Sequence, residues 1–345
     1  MRVAIVNDLA LAREVLRRLV IGVPGYSVAW TAADGAEAVR RAAQDRPDVV
    51  LMDLVMPVMD GVEATRRIMA ESPCPILLVT SSVSGNFNLV YRAMGHGGLD
   101  AVNTPTFGPD GKVKDGESLL ARLAKLDHAK QSPAASQARP ETTAFAPGTN
   151  KPAVRTRVPP LLALGSSTGG PEALAKILEE LPAGFPAAVV IVQHIAADFA
   201  PSLAAWLQGR TSLSVSIAAQ GSEPKPGHVL VAATNDHLLL KPEHRLAYMA
   251  EPADFPYRPS VDVFFESLAE NWPRPGVAVV LTGMGNDGGR GLLSLRQAGW
   301  FTIAQDQASC VVYGMPKAAA ELQAACKVLP LSEIGRAIMA GIGNR

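Results

Sequence analysis

The sequence predicts an α/β protein of two domains: a doubly wound parallel sheet, then a second, mainly parallel α/β domain carrying a Ser-His-Asp triad. Three observations predict it. The chain has 345 residues, more than one ordinary core accommodates. Short apolar runs alternate with amphipathic helical stretches in two separate blocks, the pattern of βαβ units. Between the blocks lies a stretch rich in Pro, Ala, Ser and Thr that keeps no helical or strand period. The boundaries read as a first domain over 1–122, a flexible linker over 123–159 and a second domain over 160–345.

In the first block the strand candidates are Val3–Val6, Ser27–Thr31, Val49–Met52, Ile76–Val79 and Ala101–Asn103. Helical spacing of apolar residues marks Leu9–Leu19, Gly35–Gln44 and Gly61–Ala70 between them. The second block gives strands at Leu161–Leu164, Ala187–Val192, His228–Ala232, Val277–Leu281 and Phe301–Ala304. Strands separated by helices pair in parallel.

Composition narrows the function. Lys plus Arg and Asp plus Glu number 32 each, so no basic surface speaks for nucleic acid or an anionic membrane. The three cysteines, Cys74, Cys310 and Cys326, are odd in number and far apart, which predicts reduced thiols rather than a disulfide framework. Met1 runs directly into a strand with no signal-peptide pattern, and no apolar run reaches the roughly 20 residues that span a bilayer. These features predict a cytoplasmic protein without membrane insertion.

Asp8 and Asp53 each follow an apolar strand, so a parallel sheet brings both carboxylates to the carboxyl-end rim where ligands collect. Such a pair suits Mg²⁺, and Asp53 suits a nucleophile toward a phosphoryl donor. Thr80, at the end of the next strand, can bond a phosphoryl oxygen.

In the second block, Leu164–Glu172 reads as strand, glycine-rich turn and helix start, with Ser167 beside exposed backbone N–H groups. A phosphate cradle is the competing reading of this turn; the chain has neither the P-loop ending nor a G-x-G-x-x-G there. His194 follows the next strand and suits a general base. Asp287, in the glycine-rich stretch Leu281–Gly289, suits the acid that orients the imidazole, and the same stretch brings the Met284 amide toward the pocket. His237 competes with His194 as base. His228 and His244 read as surface residues and Cys310 as a packed thiol. The order Ser, His, Asp differs from that of α/β-hydrolases, pointing to another fold with the same constellation.

Residues 1–120 resemble the receiver domain of two-component response regulators, through Asp8, Asp53, Met56-Pro57, Asp60-Gly61 and Thr80. The resemblance implies a receiver-like sheet phosphorylated at Asp53 by a histidine kinase, with Mg²⁺ held by Asp8, Asp53 and the Val55 carbonyl. Two positions depart from that family. Asn7-Asp8 stands where it has two acids, the asparagine still offering the metal an oxygen. Thr104 stands where it has a lysine before a cis-proline, removing a cation that pairs with the phosphoryl group. Thr80 and Thr104 are therefore the switch positions to follow, and Lys112 or Lys114 the candidates to replace the lysine in space.

Residues 160–343 resemble the catalytic domain of the chemotaxis protein-glutamate methylesterase/glutaminase family (CheB). The matching stretches are Gly165–Pro171, Val192–His194, Pro259–Phe265, Leu281–Gly289, Ala304–Asp306 and Ser309–Pro316. The resemblance implies Ser167 as nucleophile, His194 as base and Asp287 as its partner. It also implies an oxyanion site at the Met284 N–H with Thr168 beside the nucleophile. No cofactor is expected for ester hydrolysis. Val6–Asp8, Met94–Gly97 and Asn103–Pro105 resemble the Wsp-type branch, whose members serve surface sensing rather than flagellar steering. The expected activity is demethylation of glutamate 5-methyl esters on methyl-accepting receptors and deamidation of receptor glutamines. The alternative is a non-enzymatic, receptor-binding response regulator.

Overall fold

The computed structural model describes residues 1–81, 85–108, 112–131, 158–195, 197–252, 255 and 257–343, without the side chains of 125 and 128–131. In the first domain, β1 (Arg2–Val6), α1 (Ala10–Ile21), β2 (Ser27–Ala32), α2 (Gly35–Gln44), β3 (Val49–Met52), α3 (Gly61–Glu71), β4 (Ile76–Thr80), α4 (Phe87–Gly95) and β5 (Gly98–Asn103) alternate regularly. A short hairpin, β6 (Thr106–Phe107) and β7 (Val113–Lys114), precedes α5 (Glu117–Gln131). The five long strands pair in parallel in the order β2-β1-β3-β4-β5. Strands β3 and β4 are buried throughout, as a sheet covered on both faces requires. Asp34 and Asp60 cap α2 and α3 by accepting the Glu37 and Glu63 amides, both at 2.8 Å.

The second domain runs β8 (Leu161–Ser166), α6 (Gly170–Glu180), β9 (Ala188–Gln193), α7 (Ala200–Gln208), β10 (Ser214–Ile217) and β11 (His228–Val231). There follow the hairpin β12 (His237–Leu240) and β13 (Leu246–Met249), α8 (Val261–Asn271), β14 (Val277–Val280), α9 (Gly289–Gln297), β15 (Phe301–Gln305), α10 (Met315–Glu321), β16 (Lys327–Leu329) and α11 (Leu331–Gly343). Seven parallel strands form a sheet in the order β10-β11-β9-β8-β14-β15-β16. From β8 the chain winds outward through β9 to one edge, then returns to β14 and winds to the other. The crevice above β8 and β14 is thus the switch point, where open α/β sheets bind ligands.

The structure adds elements that the sequence reading lacks. Edge strand β10 alternates exposure over only four residues, too few for a periodic signal. His237 opens the antiparallel strand β12 rather than following the run His228–Ala232. Helix α5 continues to Gln131, past the position where the sequence places the linker's start. Of the expected linker, residues 132–157 lie outside the described residues.

The two domains touch. Helix α4 packs on α6 and α7, and one buried apolar cluster runs from Val90, Tyr91 and Met94 to Leu174, Leu203 and Trp206. The Tyr91 hydroxyl donates to the Phe199 carbonyl at 3.0 Å, and its ring lies 5.1 Å from that of Trp206.

Candidate active site and phosphoacceptor site

Three strand ends meet above β8, β9 and β14. Ser167 follows β8, held by its own amide to the Thr282 carbonyl at 3.1 Å and by Gly170 N–H to its carbonyl at 2.8 Å. Its neighbour Ser166 is fully buried and donates to Gln193 Oε1 at 2.6 Å, so only the second serine reaches the cavity. Gln193 Nε2 donates to the carbonyls of Ser167 (2.8 Å) and His194 (3.1 Å), tying the two strand ends together. Gly283 lies so close that a Cβ there would stand 2.7 Å from the Ser167 Cβ.

His194 follows β9, with Nε2 2.7 Å from Asp287 Oδ2. The carboxylate also accepts Ser260 Oγ (2.8 Å), Val261 N–H (2.7 Å) and Asp262 N–H (3.0 Å) at the start of α8. Burial pushes the Asp287 carboxyl up. Its bond to His194, with the N–H groups of Asp262 and Val261, outweighs that and holds it below the usual carboxylate value. Since Nε2 is committed to Asp287, Nδ1 is the nitrogen left to accept a proton; it is buried and has no partner among the described residues. No hydrogen bond joins Ser167 to His194 among the described residues. Such bonds are often long before substrate arrives.

Ser167, Thr168, His194 and Met284 line one cavity of about 750 Å³. Among the described residues, no backbone hydrogen bond takes up the N–H of Thr168 or Met284, the two donors expected at an oxyanion. Both sit at the mouth of a glycine-rich turn, Thr168 two residues before α6.

The CheB methylesterase family model matches residues 162–338, and the response regulator receiver domain model matches residues 3–106. The chain belongs to the CheB methylesterase family. It is 51% identical to "Protein-glutamate methylesterase/protein-glutamine glutaminase 4" of Burkholderia thailandensis, across 97% of this chain and 95% of that one. It is 49% identical to the "Protein-glutamate methylesterase/protein-glutamine glutaminase of group 3 operon" of Pseudomonas putida, across 97% of each. The solved catalytic domain of Thermotoga maritima CheB methylesterase superposes with a TM-score of 0.50 at 38% identity, covering 52% of this chain and 97% of that one.

The receiver of this CheB-family chain forms the other wall of the cavity. Leu99, Asp100, Ala121 and Arg122 face the same space as Ser167 and His194. Arg122 Nε is paired with Asp100 at 2.6 Å, which fixes this part of the wall. Sequence alone does not place β5 and α5 over the methylesterase crevice.

Asp8 and Asp53 meet at the switch point between β1 and β3. Asp53 is buried, and burial pushes its carboxyl up to about 6 against the N–H groups of Leu54 and Val55, with the charge of Asp8 adding to the rise. A buried carboxylate repelled by a second one is a donor set that fits a divalent cation, with Val55 two residues on and exposed. Asn7 is tied into the same pocket: its Oδ1 accepts Leu9 N–H at 2.9 Å and its Nδ2 donates to Asp53 Oδ2 at 2.8 Å.

Thr80, fully buried, accepts Asn86 Nδ2 at 3.0 Å, and its carbonyl accepts Thr104 N–H at 2.9 Å. The two switch positions therefore adjoin. Thr104–Pro105 is not cis; among the described residues the cis bonds fall at Pro252 and Pro259. The hairpin that carries Lys112 and Lys114 packs on α1, with Arg18 over the Phe107 ring and Leu19 against Gly116, and pairs Lys114 with Thr106, two residues after Thr104.

His237, the competing base, does not line the cavity. His237 is fully buried, bonded through Nε2 to the Pro252 carbonyl at 3.0 Å and accepting Ser260 N–H on Nδ1 at 3.2 Å. It supports the loop that clamps Asp287. The Cys310 thiol is pushed up to about 12, chiefly by burial, and stays protonated, in keeping with a packed thiol. The sequence reading assigned no role to Gln193, Tyr257 or Ser260. For Ser260 a signal existed: a serine three residues before the start of an apolar helical pattern's N3 amide, Val263, which it caps at 3.3 Å.

Proposed function

We propose that this chain hydrolyses glutamate 5-methyl esters on methyl-accepting receptors and deamidates receptor glutamines, under control of phosphorylation at Asp53. The observation that carries the reading is the meeting of Ser167 and His194 in one cavity of a CheB-family domain, with Asp287 buried behind the imidazole and bonded to it at 2.7 Å. Relatives named for both activities match nearly the whole chain.

In this reading His194 Nδ1 takes the Ser167 proton while Oγ attacks the ester carbonyl. The oxyanion is met by the free N–H groups of Thr168 and Met284, aided by the positive end of α6. Asp287 stabilises the imidazolium, which returns the proton to the departing methoxide and releases methanol. Water, activated by the same imidazole, then cleaves the acyl-Ser167 bond to leave glutamate. A glutamine substrate follows the same course with ammonia as leaving group. No step needs a cofactor.

The receiver's role in the reading is to cover the crevice with β5 and α5 until a histidine kinase phosphorylates Asp53. Asp8, Asp53 and the Val55 carbonyl would hold Mg²⁺, which supplies charge neutralisation during phosphoryl transfer. The phosphoryl group attracts the Thr80 hydroxyl away from Asn86, the residue just before α4, and α4 is the helix that packs on the methylesterase domain. Among the described residues no helix is long and apolar enough to cross a membrane. With Cys74, Cys310 and Cys326 outside any disulfide, a cytoplasmic location fits.

Methanol release from methylated receptor tests the reading, with and without phosphodonor plus Mg²⁺. Ser167→Ala should abolish release, and Asp53→Asn should abolish the stimulation. Release by Ser167→Ala at the wild-type rate would sink the triad. Faster turnover of generic aryl esters than of receptor would make the chain a small-molecule esterase.

A further inference from the structure

Beside His194 lies a group that neither the proton relay nor the oxyanion site uses. The Tyr257 ring stacks on the imidazole, with centroids 4.5 Å apart and planes 3° from parallel. We propose that Tyr257 is a positioning residue, whose flat face holds the His194 ring plane so that Nε2 meets Asp287 and Nδ1 stays free for the Ser167 proton. The inference rests on the esterase reading and deepens it.

The physical need is specific. The outer torsion of a histidine is broad and shallow, so one hydrogen bond to Asp287 does not by itself fix the ring plane. A parallel aromatic surface removes that freedom, because any rotation of the imidazole drives an edge into the tyrosine. The stack also favours the charged intermediate, since an imidazolium is attracted to the face of an electron-rich ring. Burial and the nearby Asp287 charge raise the Tyr257 hydroxyl, so the ring brings no charge of its own.

Its surroundings lock it in place. Tyr257 stands three residues before Ser260, so a single stretch of chain both clamps the Asp287 carboxylate and flattens the His194 ring. On its far side the hydroxyl lies against Gly285, where an added Cβ would collide with it. Gly285 has φ +84°, a conformation that glycine adopts without strain, and it adjoins Met284 of the oxyanion turn. The tyrosine therefore sits between the base and the oxyanion loop, and both are shaped around it.

The experiment compares full-length wild type, Tyr257→Phe, Tyr257→Ala and Tyr257→Leu, the last filling part of the space without a flat face. Two measurements are made: kcat and KM for methanol release, and the downfield proton resonance of His194 Nε2–H in ¹⁵N-histidine-labelled protein. Tyr257→Phe should stay within about threefold of wild-type kcat and keep the resonance. Tyr257→Ala and Tyr257→Leu should lose roughly tenfold to a hundredfold in kcat with KM within about twofold, and the resonance should broaden away. Melting temperatures identify a variant that fails to fold, and the other non-aromatic variant then decides. Wild-type kcat and an intact resonance in either would overturn the proposal, as would a KM-only effect. Equal impairment of Tyr257→Phe and Tyr257→Ala would overturn it too, since the hydroxyl would then be the working group. Absence of methanol release by wild type would refute the esterase reading alone, because the resonance still reports the hold on His194.

Discussion

His194 Nε2 lies 2.7 Å from Asp287 Oδ2, and that carboxylate is itself fixed by three donors from the start of α8. The arrangement makes Asp287 a rigid acceptor, and it commits the imidazole to one tautomer with Nδ1 basic.

Asp287→Asn should therefore cost far more than one hydrogen bond. An amide keeps one acceptor oxygen for four donors and can turn its NH₂ toward His194, which selects the wrong tautomer. The expected loss in kcat for methanol release is on the order of 10³–10⁴-fold. A loss under tenfold would mean that Asp287 serves the fold rather than the reaction.

The interface between the domains offers a separate handle. Gly95, the last residue of α4, faces α6 so closely that an added Cβ would stand 2.9 Å from the Glu172 Cβ. Gly95→Asp adds both bulk and a like charge at that contact, without touching Asp53 or Ser167. Basal methanol release should rise several-fold and stimulation by phosphodonor should shrink in proportion. An unchanged basal rate would show that this contact does not restrain the crevice.

How much of this was legible follows from where the chemistry sits. Asp8, Asp53, Ser167 and His194 each end an apolar run, and a parallel sheet sends every strand end to one rim, so local pattern sufficed for them. Choosing between His194 and His237 needed tertiary information, because both stand near apolar runs. Only packing shows His237 sealed between the Pro252 carbonyl and the Ser260 amide. Tyr257 and Ser260 were illegible as site residues for the same reason. Their partners lie 63 and 27 positions away in the chain, and no periodicity encodes that meeting. The bond from Asn7 Nδ2 to Asp53 was likewise invisible in the chain, since 46 positions separate the two residues. The roof of Asp100 and Arg122 over the crevice depends on domain packing, which composition does not record.

The raised Asp53 carboxyl gives a pH dependence with a definite sign. Protonation near pH 6 and Mg²⁺ binding compete for the same oxygens. Affinity for Mg²⁺, measured by calorimetric titration, should be level above about pH 7 and fall below about 6, approaching tenfold per pH unit. In the metal-free protein the linkage runs the same way. Asp53 binds its proton more tightly folded than unfolded, so stability falls as pH rises from the ordinary value of 3.8 through about 6, then levels. Mg²⁺ affinity unchanged down to pH 5 would place the metal away from Asp53.

Ser260→Ala separates fold from function within one residue. The hydroxyl accepts Val263 N–H as the N-cap of α8 and donates to Asp287 Oδ1, so its removal touches both. Loss of the cap should lower stability by about 1 kcal/mol. Loss of the donor leaves Asp287 with its two backbone N–H bonds and His194, so kcat should drop about threefold to thirtyfold, far less than in Asp287→Asn. Ser260→Thr keeps both bonds and should restore both quantities, which chemical denaturation and methanol release measure side by side. If the alanine variant loses stability but keeps full kcat, the backbone donors alone orient Asp287, and the serine belongs to the helix rather than to the triad.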